Sequence, residues 1–429
     1  MTQVLVTGAG GFLGSHLIPA LSRAGYDVIC CGRHTATLRM RFPACRVVEC
    51  DFASRKGSDS WDSVLRGVSV VINAAGIIQQ HGANTFEAVH HNSPSIMFHA
   101  AEQAGVRRVI QISALGADTQ ATTRYHRTKW AADEVLRGLS LEWVVLQSSL
   151  IYGPGGRSQA FFAALAALPV MPLIGCGDQR IQPIHVDDVV DGILRLLPSD
   201  APTRVTLPVV GPEPVTLRCF LETIRRWLGL AVAPTLAVPL GLVRLAAHVG
   251  DVVRSEFVNT DTLAMLCREN TADPTPYLIA TGVKPRPLST GLPAAAASHP
   301  ERLAASLSFL RPLLLLSIAA VWIGSGVVSL FLFPQETSEA WLVRVGIPAT
   351  WTAPTLMTAA ALDIVLGFAM LFHWQLPLVL TIQLLLIVGF SLILTARMPE
   401  LWTHPFGPLL KNLPLCVATL VLWAMERRR

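Results

Sequence analysis

The sequence predicts an α/β fold built on a doubly wound parallel sheet with a small substrate lobe, followed by an all-α transmembrane domain of four helices. A glycine-rich segment joins the first apolar run to a helical pattern, strand-like and helix-like runs alternate as far as residue 146, and four long apolar runs follow residue 306. Repeated strand–helix units are typical of a parallel sheet covered on both faces. Apolar runs of about 20 residues are long enough to cross a bilayer.

The glycine-rich segment over residues 4–14 has the pattern of a strand, a tight loop and the start of a helix. Gly8 allows a sharp turn, Gly11 lets a pyrophosphate approach the backbone, and Gly14 lets the helix pack closely on the strand. The free N–H groups of the helix N-terminus favour phosphate binding. The pattern therefore predicts a Rossmann dinucleotide site, and the alternative is a glycine-rich turn without a ligand. The residues predicted to contact the cofactor here are Thr7, Gly8, Gly10, Gly11, Phe12, Leu13 and Gly14.

The segments that follow the later strands are further candidates, because ligands of doubly wound sheets bind beyond the carboxyl ends of the strands. These strands are predicted over residues 27–31, 45–50, 68–72, 109–112 and 143–146, with helices over 92–104 and 131–136. Asp51, expected to face the adenine, and Phe52 follow the third strand of the chain. Ala74, Ala75 and Gly76 follow the fourth, where small residues let a cofactor lie against the backbone.

Arg33 follows the second strand, at the position where an acidic residue holds the ribose hydroxyl in NAD-binding proteins. No acidic residue stands at this strand end, and an arginine suits a 2′-phosphate. The sequence thus favours NADP(H) as the cofactor, with NAD(H) as the alternative. The competing interpretation of Arg33 is a solvated surface arginine.

Three residues are candidates for catalysis. Tyr125 and Lys129 are spaced to lie on one face of a helix, and Ser113 ends the fifth strand. A neighbouring ammonium is expected to lower the pKa of a tyrosine towards the working pH, so that the phenol acts as general acid or base. Lys129 is also expected to hold the nicotinamide ribose. No metal site is predicted.

The motifs together resemble the short-chain dehydrogenase/reductase superfamily, in its extended branch of NAD-dependent epimerase/dehydratase-like proteins. The segments that carry this resemblance are 7–14, 73–76, 125–129, 150–155 and 184–189. More narrowly, residues 113–117 with 124–129 look like the atypical group that contains the NADPH-binding accessory subunit of respiratory complex I. The resemblance implies an NADPH-binding domain over residues 1–290, with a substrate lobe at roughly 155–175 and 205–290.

The sequence departs from this family pattern beside the predicted catalytic residues. Ala114 and Leu115 stand where many extended members carry a catalytic serine or threonine, and Gln147-Ser148 replaces a common Arg-Pro pair. These changes leave two hypotheses open. One is an enzyme that acts on a hydrophobic, quinone-like or lipid-like substrate. The other is a non-catalytic NADPH-binding module that assembles or stabilises a membrane protein complex.

The overall composition supports a membrane protein. Hydrophobic residues make up 52% and charged residues 15% of the chain, which is more apolar than a soluble globular protein. The excess of Lys and Arg over Asp and Glu, 34 against 29, is small and dispersed, so no nucleic-acid partner is predicted. The eight cysteines form no CxxC pair and are expected to be reduced, mostly buried thiols.

Residues 291–306 are predicted to be a linker between the two domains, because this segment is rich in Pro, Ala and Ser. Upstream of it, the apolar residues 236–253 predict either a buried helix of the substrate lobe or a helix on a membrane surface. The surface role is slightly favoured because apolar spans follow.

The domain over residues 307–429 is predicted to cross the membrane four times, over 312–333, 354–372, 376–396 and 409–425. It resembles the DoxX-like family at residues 322–326, 362–367 and 404–414. Arg302, Arg311 and the arginines at 427–429 would lie on one side, which the positive-inside rule makes cytoplasmic. We therefore predict a multi-pass inner-membrane protein with both termini and the dinucleotide domain in the cytoplasm.

Asp363, an acidic residue within the second predicted span, should face the bundle interior and have a partner. Lys411, Gln383 or a water are the candidate partners. A structural role and a redox role for Asp363 both remain open.

Overall fold

The computed structural model describes residues 2–53, 59–252, 255–292 and 297–426. Its internal contacts divide the chain into two compact units, with the boundary between Ala305 and Ser306. The arginines at 427–429 and residues 293–296 of the predicted linker lie outside the described residues.

The first unit begins with alternating strands and helices. In chain order these are β1 Gln3–Thr7, α1 Phe12–Arg23, β2 Asp27–Gly32, α2 Thr35–Arg41, β3 Arg46–Glu49, α3 Asp59–Leu65, β4 Val70–Asn73, α4 Ser93–Gln103, β5 Arg108–Ala114, α5 Arg124–Arg137 and β6 Glu142–Ser148. A π-helical turn, Glu87–Asn92, leads into α4. All the strands predicted by the sequence over this part are present, and their bounds differ by at most two residues.

The remaining elements of the first unit build the lobe and close the sheet. They are β7 Ile151–Tyr152, α6 Arg157–Ala167, β8 Met171–Ile174, β9 Arg180–Ile181, β10 Ile184–His185, α7 Val186–Arg195, β11 Val205–Val209, β12 Val215–Thr216, α8 Leu217–Trp227, β13 Thr235–Val238, α9 Leu240–Val252, α10 Thr260–Cys267, α11 Thr275–Thr281, α12 Leu288–Gly291 and α13 His299–Leu307.

The main sheet has seven parallel strands in the order β11-β6-β5-β4-β1-β2-β3. The strand order reverses beside β1, so the carboxyl ends of β1 and β4 form the crevice in which doubly wound sheets bind ligands. Two apolar clusters cover the faces: α1, α7 and α11 contribute to one, and α3, α4 and α5 to the other. The predicted fold class is confirmed.

Strand β11 corrects the predicted extent of the substrate lobe. Residues 205–209 were assigned to the lobe, but they pair with β6 as the seventh strand of the main sheet. Pro208 weakens the strand signal in the sequence, and a proline is tolerated here because β11 lies at the edge of the sheet.

The lobe has an apolar core of its own, to which α6, α8 and β8 contribute. Leu292, Ala297 and Ala305 are buried in this core. Part of the predicted linker thus packs on the first unit, and the Ala297 amide donates to the Trp227 carbonyl oxygen at the end of α8 at 2.8 Å. The helix α13 covers much of the rest of the segment.

All the regular secondary structure in the described part of the second unit is helical. Its elements are α14 Leu310–Val327 with a π-helical continuation Val328–Leu332, α15 Gln335–Val345, α16 Ala349–Leu371, α17 Leu376–Arg397, a 3₁₀ turn Pro399–Trp402 and α18 Asn412–Glu426. Among the described residues three helices are long and apolar enough to cross a membrane: Leu310–Leu332, Ala349–Leu371 and Leu376–Arg397. The predicted fourth span falls on α18, which has only 15 residues. A bilayer crossing needs about 20.

Helices α14 and α16 pack closely through two glycines. A Cβ at Gly326 would lie 2.5 Å from the Ala360 carbonyl oxygen, and one at Gly367 would lie 2.5 Å from Ile323 Cγ1. Small residues at such crossings let helix backbones approach within a membrane. Asp363, on α16, shares a hydrogen bond with Ser325 of α14, a partner that the sequence analysis did not name.

The cysteines correct another prediction. Cys31 at the end of β2 and Cys50 just after β3 form a disulfide, with their Cα atoms 5.4 Å apart. The prediction missed this pair because the partners are separated by 19 residues and become neighbours only when β2 and β3 pair. Cys176, Cys219 and Cys267 are exposed rather than buried.

Candidate functional site

The glycine loop between β1 and α1 adopts a conformation that only small residues permit. Gly8 has a φ of 67°, and a Cβ there would lie 2.5 Å from the Ala74 carbonyl oxygen. A Cβ at Gly14 would lie 2.5 Å from the Gly8 carbonyl oxygen. Gly11 precedes α1, and no side chain caps that helix N-terminus within the described part of the chain. The loop thus presents backbone N–H groups, and these fit a pyrophosphate.

A buried hydrogen-bond chain fixes the neighbouring strand ends. Thr7 Oγ1 donates to Asn73 Oδ1 at 2.5 Å, and Asn73 Nδ2 donates to Gln111 Oε1 at 2.7 Å. These residues belong to β1, β4 and β5, three adjacent strands of the sheet. The side chain of Thr7 is therefore engaged with the sheet. Ala74, Ala75 and Gly76 follow directly at the crevice, and Leu13 is buried beneath the loop.

The residues predicted for the adenine side differ in accessibility. Arg33 is exposed after β2, and its Nη1 donates to Asn84 Oδ1 at 3.2 Å. Asp51 Oδ1 accepts a hydrogen bond from the Ala53 amide at 3.1 Å. The ring of Phe52 is buried and packs edge-on against Trp61, 6.0 Å between ring centres. Phe52 is therefore a core residue whose ring does not face the crevice.

Tyr125 lies near the start of α5 in a shell of aromatic rings. Its ring centre is 5.1 Å from that of His90, 5.4 Å from that of His126 and 5.8 Å from that of Phe86, all in edge-on geometry. Burial raises the pKa of Tyr125 to about 12. The predicted lowering of this pKa by Lys129 is therefore wrong, because desolvation of the phenolate dominates.

Lys129 lies one turn further along α5 and is buried. Its Nζ donates to the Ile112 carbonyl oxygen at 2.9 Å. Burial lowers the pKa of Lys129 to about 8, and the carboxylate of Asp133 opposes this shift. A Cβ at Gly76 would lie 3.4 Å from Nζ, so the ammonium reaches the backbone that follows β4.

Ser113 is turned away from the crevice. Its Oγ donates to Asp133 Oδ2 at 2.5 Å, and both residues are buried. The next two residues, Ala114 and Leu115, line the cavity beside Tyr125 instead. The hydroxyl of Ser113 therefore orients Asp133 in this arrangement.

A large apolar cavity opens beside Tyr125. It has a volume of about 630 Å³ and lies between the sheet and the lobe of the first unit. Phe12 of the glycine loop, Tyr125 and His126 line one part of it, and Phe161, Leu221 and Val243 line another. This volume lies in the range of sites that enclose a small organic ligand. The cavity therefore extends from Phe12 in the predicted cofactor loop to Tyr125, the predicted proton donor.

Sequence reasoning missed the two histidines around Tyr125. His90 Nε2 accepts from the Ile77 amide at 3.0 Å, which places the proton on Nδ1, 3.2 Å from Thr128 Oγ1. Burial and the neighbouring ammonium of Lys129 lower the pKa of His90, and burial with Arg268 lowers that of His126 to about 4. Both imidazoles are therefore neutral near pH 7. His126 lies within the motif over residues 124–129, whereas no local sequence pattern marks His90.

An ion pair connects the lobe to the loop after β5. Both Nη2–H groups of Arg268 point at Asp118, with Nη2 at 2.7 Å from Oδ2, and Nη1 donates to the Gly116 carbonyl oxygen at 3.0 Å. The partners are separated by 150 residues, so the sequence carried no signal for this contact.

Comparison with known families matches both parts of the chain. Residues 4–207 match the NAD dependent epimerase/dehydratase family, and residues 319–420 match a DoxX-like family. The resemblances predicted from the motifs are thereby confirmed.

Curated relatives match the first unit. A mitochondrial NADH dehydrogenase [ubiquinone] 1 alpha subcomplex subunit 9 of Arabidopsis thaliana is 30% identical over 250 residues, which cover 54% of this chain and 62% of the relative. A ceramide reductase of Caulobacter vibrioides is 29% identical over 187 residues, which cover 43% of this chain and 57% of the relative. The chain thus spans about three fifths of the length of the curated relatives it matches.

Solved structures share the fold. A UDP-glucose 4-epimerase of Thermotoga maritima with UDP-glucose superposes with a TM-score of 0.52 at 18% identity, covering 73% of this chain and 100% of that one. A UDP-glucuronic acid 4-epimerase of Bacillus cereus with UDP-glucuronic acid and NAD gives a TM-score of 0.52 at 18% identity, covering 72% and 100%. At this identity the likeness shows the fold alone.

Proposed function

We propose that this chain, which joins an NAD dependent epimerase/dehydratase-type domain to a DoxX-like region, is a membrane-anchored NAD(P)H-dependent oxidoreductase that reduces a carbonyl group of a hydrophobic, lipid-like or quinone-like substrate. The observation that carries the proposal is the apolar cavity of about 630 Å³ that Phe12 and Tyr125 line together. A polar sugar nucleotide would leave its hydrogen-bonding groups unpaired against such walls.

The residues at the crevice fit a nicotinamide dinucleotide. The glycine loop with its free N–H groups would hold the pyrophosphate, and the small residues Ala74, Ala75 and Gly76 leave room beside β4. When bound, the cofactor supplies a hydride to the carbonyl carbon. Lys129 Nζ lies close to the Gly76 backbone and would donate to the nicotinamide ribose.

Tyr125 would donate the proton that the carbonyl oxygen needs when the carbon receives a hydride. Because burial raises its pKa to about 12, the phenol is protonated at neutral pH and is ready to act as an acid. The neutral rings of His90 and His126 hold it edge-on at the cavity wall. Reduction is therefore the direction that this environment favours.

Two further observations support the proposed cofactor preference and the proposed substrate class. Arg33 is exposed at the carboxyl end of β2 and would pair with a 2′-phosphate, which favours NADP(H) over NAD(H). The relative named as a ceramide reductase supports a lipid-like substrate. We also propose that the dinucleotide domain and both termini lie in the cytoplasm, on the basis of the arginines that flank the predicted spans. This topology requires that α18, although it has only 15 residues, crosses the membrane as the fourth helix.

Replacing Tyr125 tests the proposed role directly. Tyr125→Phe should abolish NADPH oxidation by the full chain in lipid nanodiscs with long-chain ketone and quinone substrates, because only the proton donor is lost. NADPH binding, followed by cofactor fluorescence, should stay nearly intact. Tyr26→Phe is the matched control and should leave both unchanged. Full turnover in Tyr125→Phe would remove the mechanism.

A second candidate function is a non-catalytic NADPH-binding module that stabilises a membrane protein complex. The specific observation in its favour is that Ala114 and Leu115 line the cavity while the Ser113 hydroxyl is bonded to Asp133. The Ser113 hydroxyl would then be engaged with Asp133 rather than with the carbonyl of a substrate. Stoichiometric NADPH binding with no oxidation across the substrate panel would favour this second candidate.

A further inference from the structure

Exposed apolar side chains of the first unit concentrate at one place. Of the thirteen large hydrophobic side chains that are exposed in its described part, eight lie between residues 232 and 258. Five of these lie on α9, and we call four of them, Leu242, Leu245, Val249 and Val252, the outer face of α9. Leu245 is 62% exposed and Val252 is 82% exposed.

The geometry of α9 gathers these four residues on one side. At about 100° of rotation per residue they fall within a sector of roughly 80°. Val243, Ala247 and Gly250 occupy the next sector and face inwards, where Ala247 and Gly250 are buried. Arg244, His248 and Asp251 fill the remaining sector. The helix thus has two apolar faces and one polar edge, and burial within the unit accounts for only one of the apolar faces.

The inner and outer faces of α9 meet at the cavity. Val243, Ala246 and Ala247 line it, and so does Leu242, which is 57% exposed. Leu242 therefore belongs both to the cavity wall and to the outer face. A hydrophobic molecule could pass from the outer face into the cavity around this residue without crossing a polar surface.

We propose that the outer face of α9 docks on the lipid bilayer, and that α9 is the entrance through which a membrane lipid reaches the cavity. The identity of the entering molecule as a substrate rests on the proposed function, whereas the docking does not. An apolar helical face beside a polar, charged edge is typical of helices that lie in the membrane interface. Arg244 supplies the cation on that edge, where it would meet anionic headgroups.

The chain itself favours a bilayer over a soluble protein as the occupant of this face. The first unit ends at Ala305, and the first apolar helix begins at Leu310. Only a few residues thus separate the unit from a membrane-spanning segment, so it is held at the membrane surface by its own covalent chain. An exposed apolar face on such a unit meets lipid at high local concentration.

Depth measurement with a fluorescent label tests the docking. In a parent whose exposed cysteines Cys176, Cys219 and Cys267 are replaced by serine, Leu245→Cys and Val249→Cys are labelled with NBD in the full chain. Nanodiscs of phosphatidylcholine and phosphatidylglycerol then receive nitroxide-labelled lipid. Quenching should be several-fold stronger at both positions than at Met40→Cys, an even more exposed apolar site on α2. Equal, weak quenching at all three would overturn the docking.

The same labels distinguish lipid from protein as the occupant of the outer face of α9. A blue-shifted NBD emission without nitroxide quenching would mean that the outer face packs against protein, either another part of this chain or a second copy, and would overturn the proposal. The measurement requires neither cofactor nor turnover. Its failure is therefore distinguishable from failure of the proposed function.

Photocrosslinking tests the entrance. A phospholipid with a diazirine at the end of its acyl chain, incorporated into the nanodisc, should label peptides of α6 and α8 at the cavity wall. Leu245→Glu combined with Val249→Glu should lower this labelling several-fold, whereas the control His248→Glu on the polar edge should not. Unchanged labelling in the double variant, or no labelling of these peptides in the wild type, would overturn α9 as the entrance.

Discussion

Tyr125 and Lys129 lie one turn apart on α5, and burial moves their pKa values in opposite directions. The pKa of Tyr125 rises to about 12 and that of Lys129 falls to about 8, because each group loses the hydration of its charged form. The spacing of the pair could be predicted from the sequence. The sign of the tyrosine shift could not, because it depends on the rings of His90 and Phe86, which come from a distant π-helical turn.

The lowered pKa of Lys129 predicts a pH dependence of stability. Its ordinary pKa is 10.5, so between pH 8 and pH 10.5 the unfolded chain binds a proton that the folded protein lacks. Stability conferred at this site therefore rises with pH in that window. From pH 7.5 to 9.5 the free energy of unfolding of wild type should gain about 1–2 kcal/mol relative to Lys129→Met.

Urea unfolding of the full chain in nanodiscs, followed by tryptophan fluorescence, measures this difference. The exposed Lys284 provides the control, and Lys284→Met should follow wild type across the same range. A difference between wild type and Lys129→Met that stays constant from pH 7.5 to 9.5 would contradict the lowered pKa.

Arg33 predicts a cofactor preference that can be measured as a difference of affinities. Arg33→Ala should reduce the preference for NADPH over NADH by about 1–3 kcal/mol, the size of a hydrogen bond to a charged group. Titration of both cofactors into wild type and variant gives the four dissociation constants required. Arg39→Ala, an exposed arginine on the neighbouring α2, should leave the preference unchanged. Equal affinities of the wild type for both cofactors would exclude the role given to Arg33.

At the scale of the element, local patterns predicted most of the fold. The strand–loop–helix unit over β1 and α1 was predictable because its glycines have a steric requirement, and the buried strands because they are apolar. Strand β11 was missed because Pro208 interrupts it, and the ion pair between Arg268 and Asp118 because its partners are far apart in the chain. Of the site, the sequence predicted the cofactor loop and Tyr125 but not the cavity, whose walls come from many elements of the lobe.

The close contact between α1 and the glycine loop predicts that alanine is tolerated differently at two glycines of this segment. Gly14→Ala should destabilise the first unit by about 1–3 kcal/mol, as overpacking does, because its Cβ would lie 2.5 Å from the Gly8 carbonyl oxygen. At Gly10 a Cβ would meet only Leu38 Cδ2, at 3.6 Å. Gly10→Ala should therefore change the free energy of unfolding by less than about 0.5 kcal/mol. Comparable unfolding curves for the two variants would contradict this packing.

At the scale of the whole molecule, the chain joins an NAD(P)-type sheet domain to apolar helices of membrane-spanning length. The sequence predicted both parts and their order. It overestimated the helical length of the last span. The apolar run over 409–425 begins with non-helical residues, and α18 starts only at Asn412. The membrane domain and the apolar cavity are independent features of the chain. Both agree with a substrate that is dissolved in lipid.

Transfer of deuterium from NADPH labelled at both C4 positions tests the central claim most directly. The full chain in nanodiscs is given aliphatic ketones of increasing length, together with a quinone, and the products are analysed by mass spectrometry. The account predicts that a ketone gives an alcohol with one deuterium at the former carbonyl carbon. The quinone would instead give a hydroquinone, which keeps no deuterium on carbon and is detected by its mass and by NADPH consumption. The account also predicts that kcat/KM rises about fourfold per added methylene until the cavity is filled, since each buried methylene contributes about 0.8 kcal/mol. Tight NADPH binding with neither a deuterated alcohol nor a hydroquinone among the products would contradict the account and identify a protein that holds the cofactor without using it.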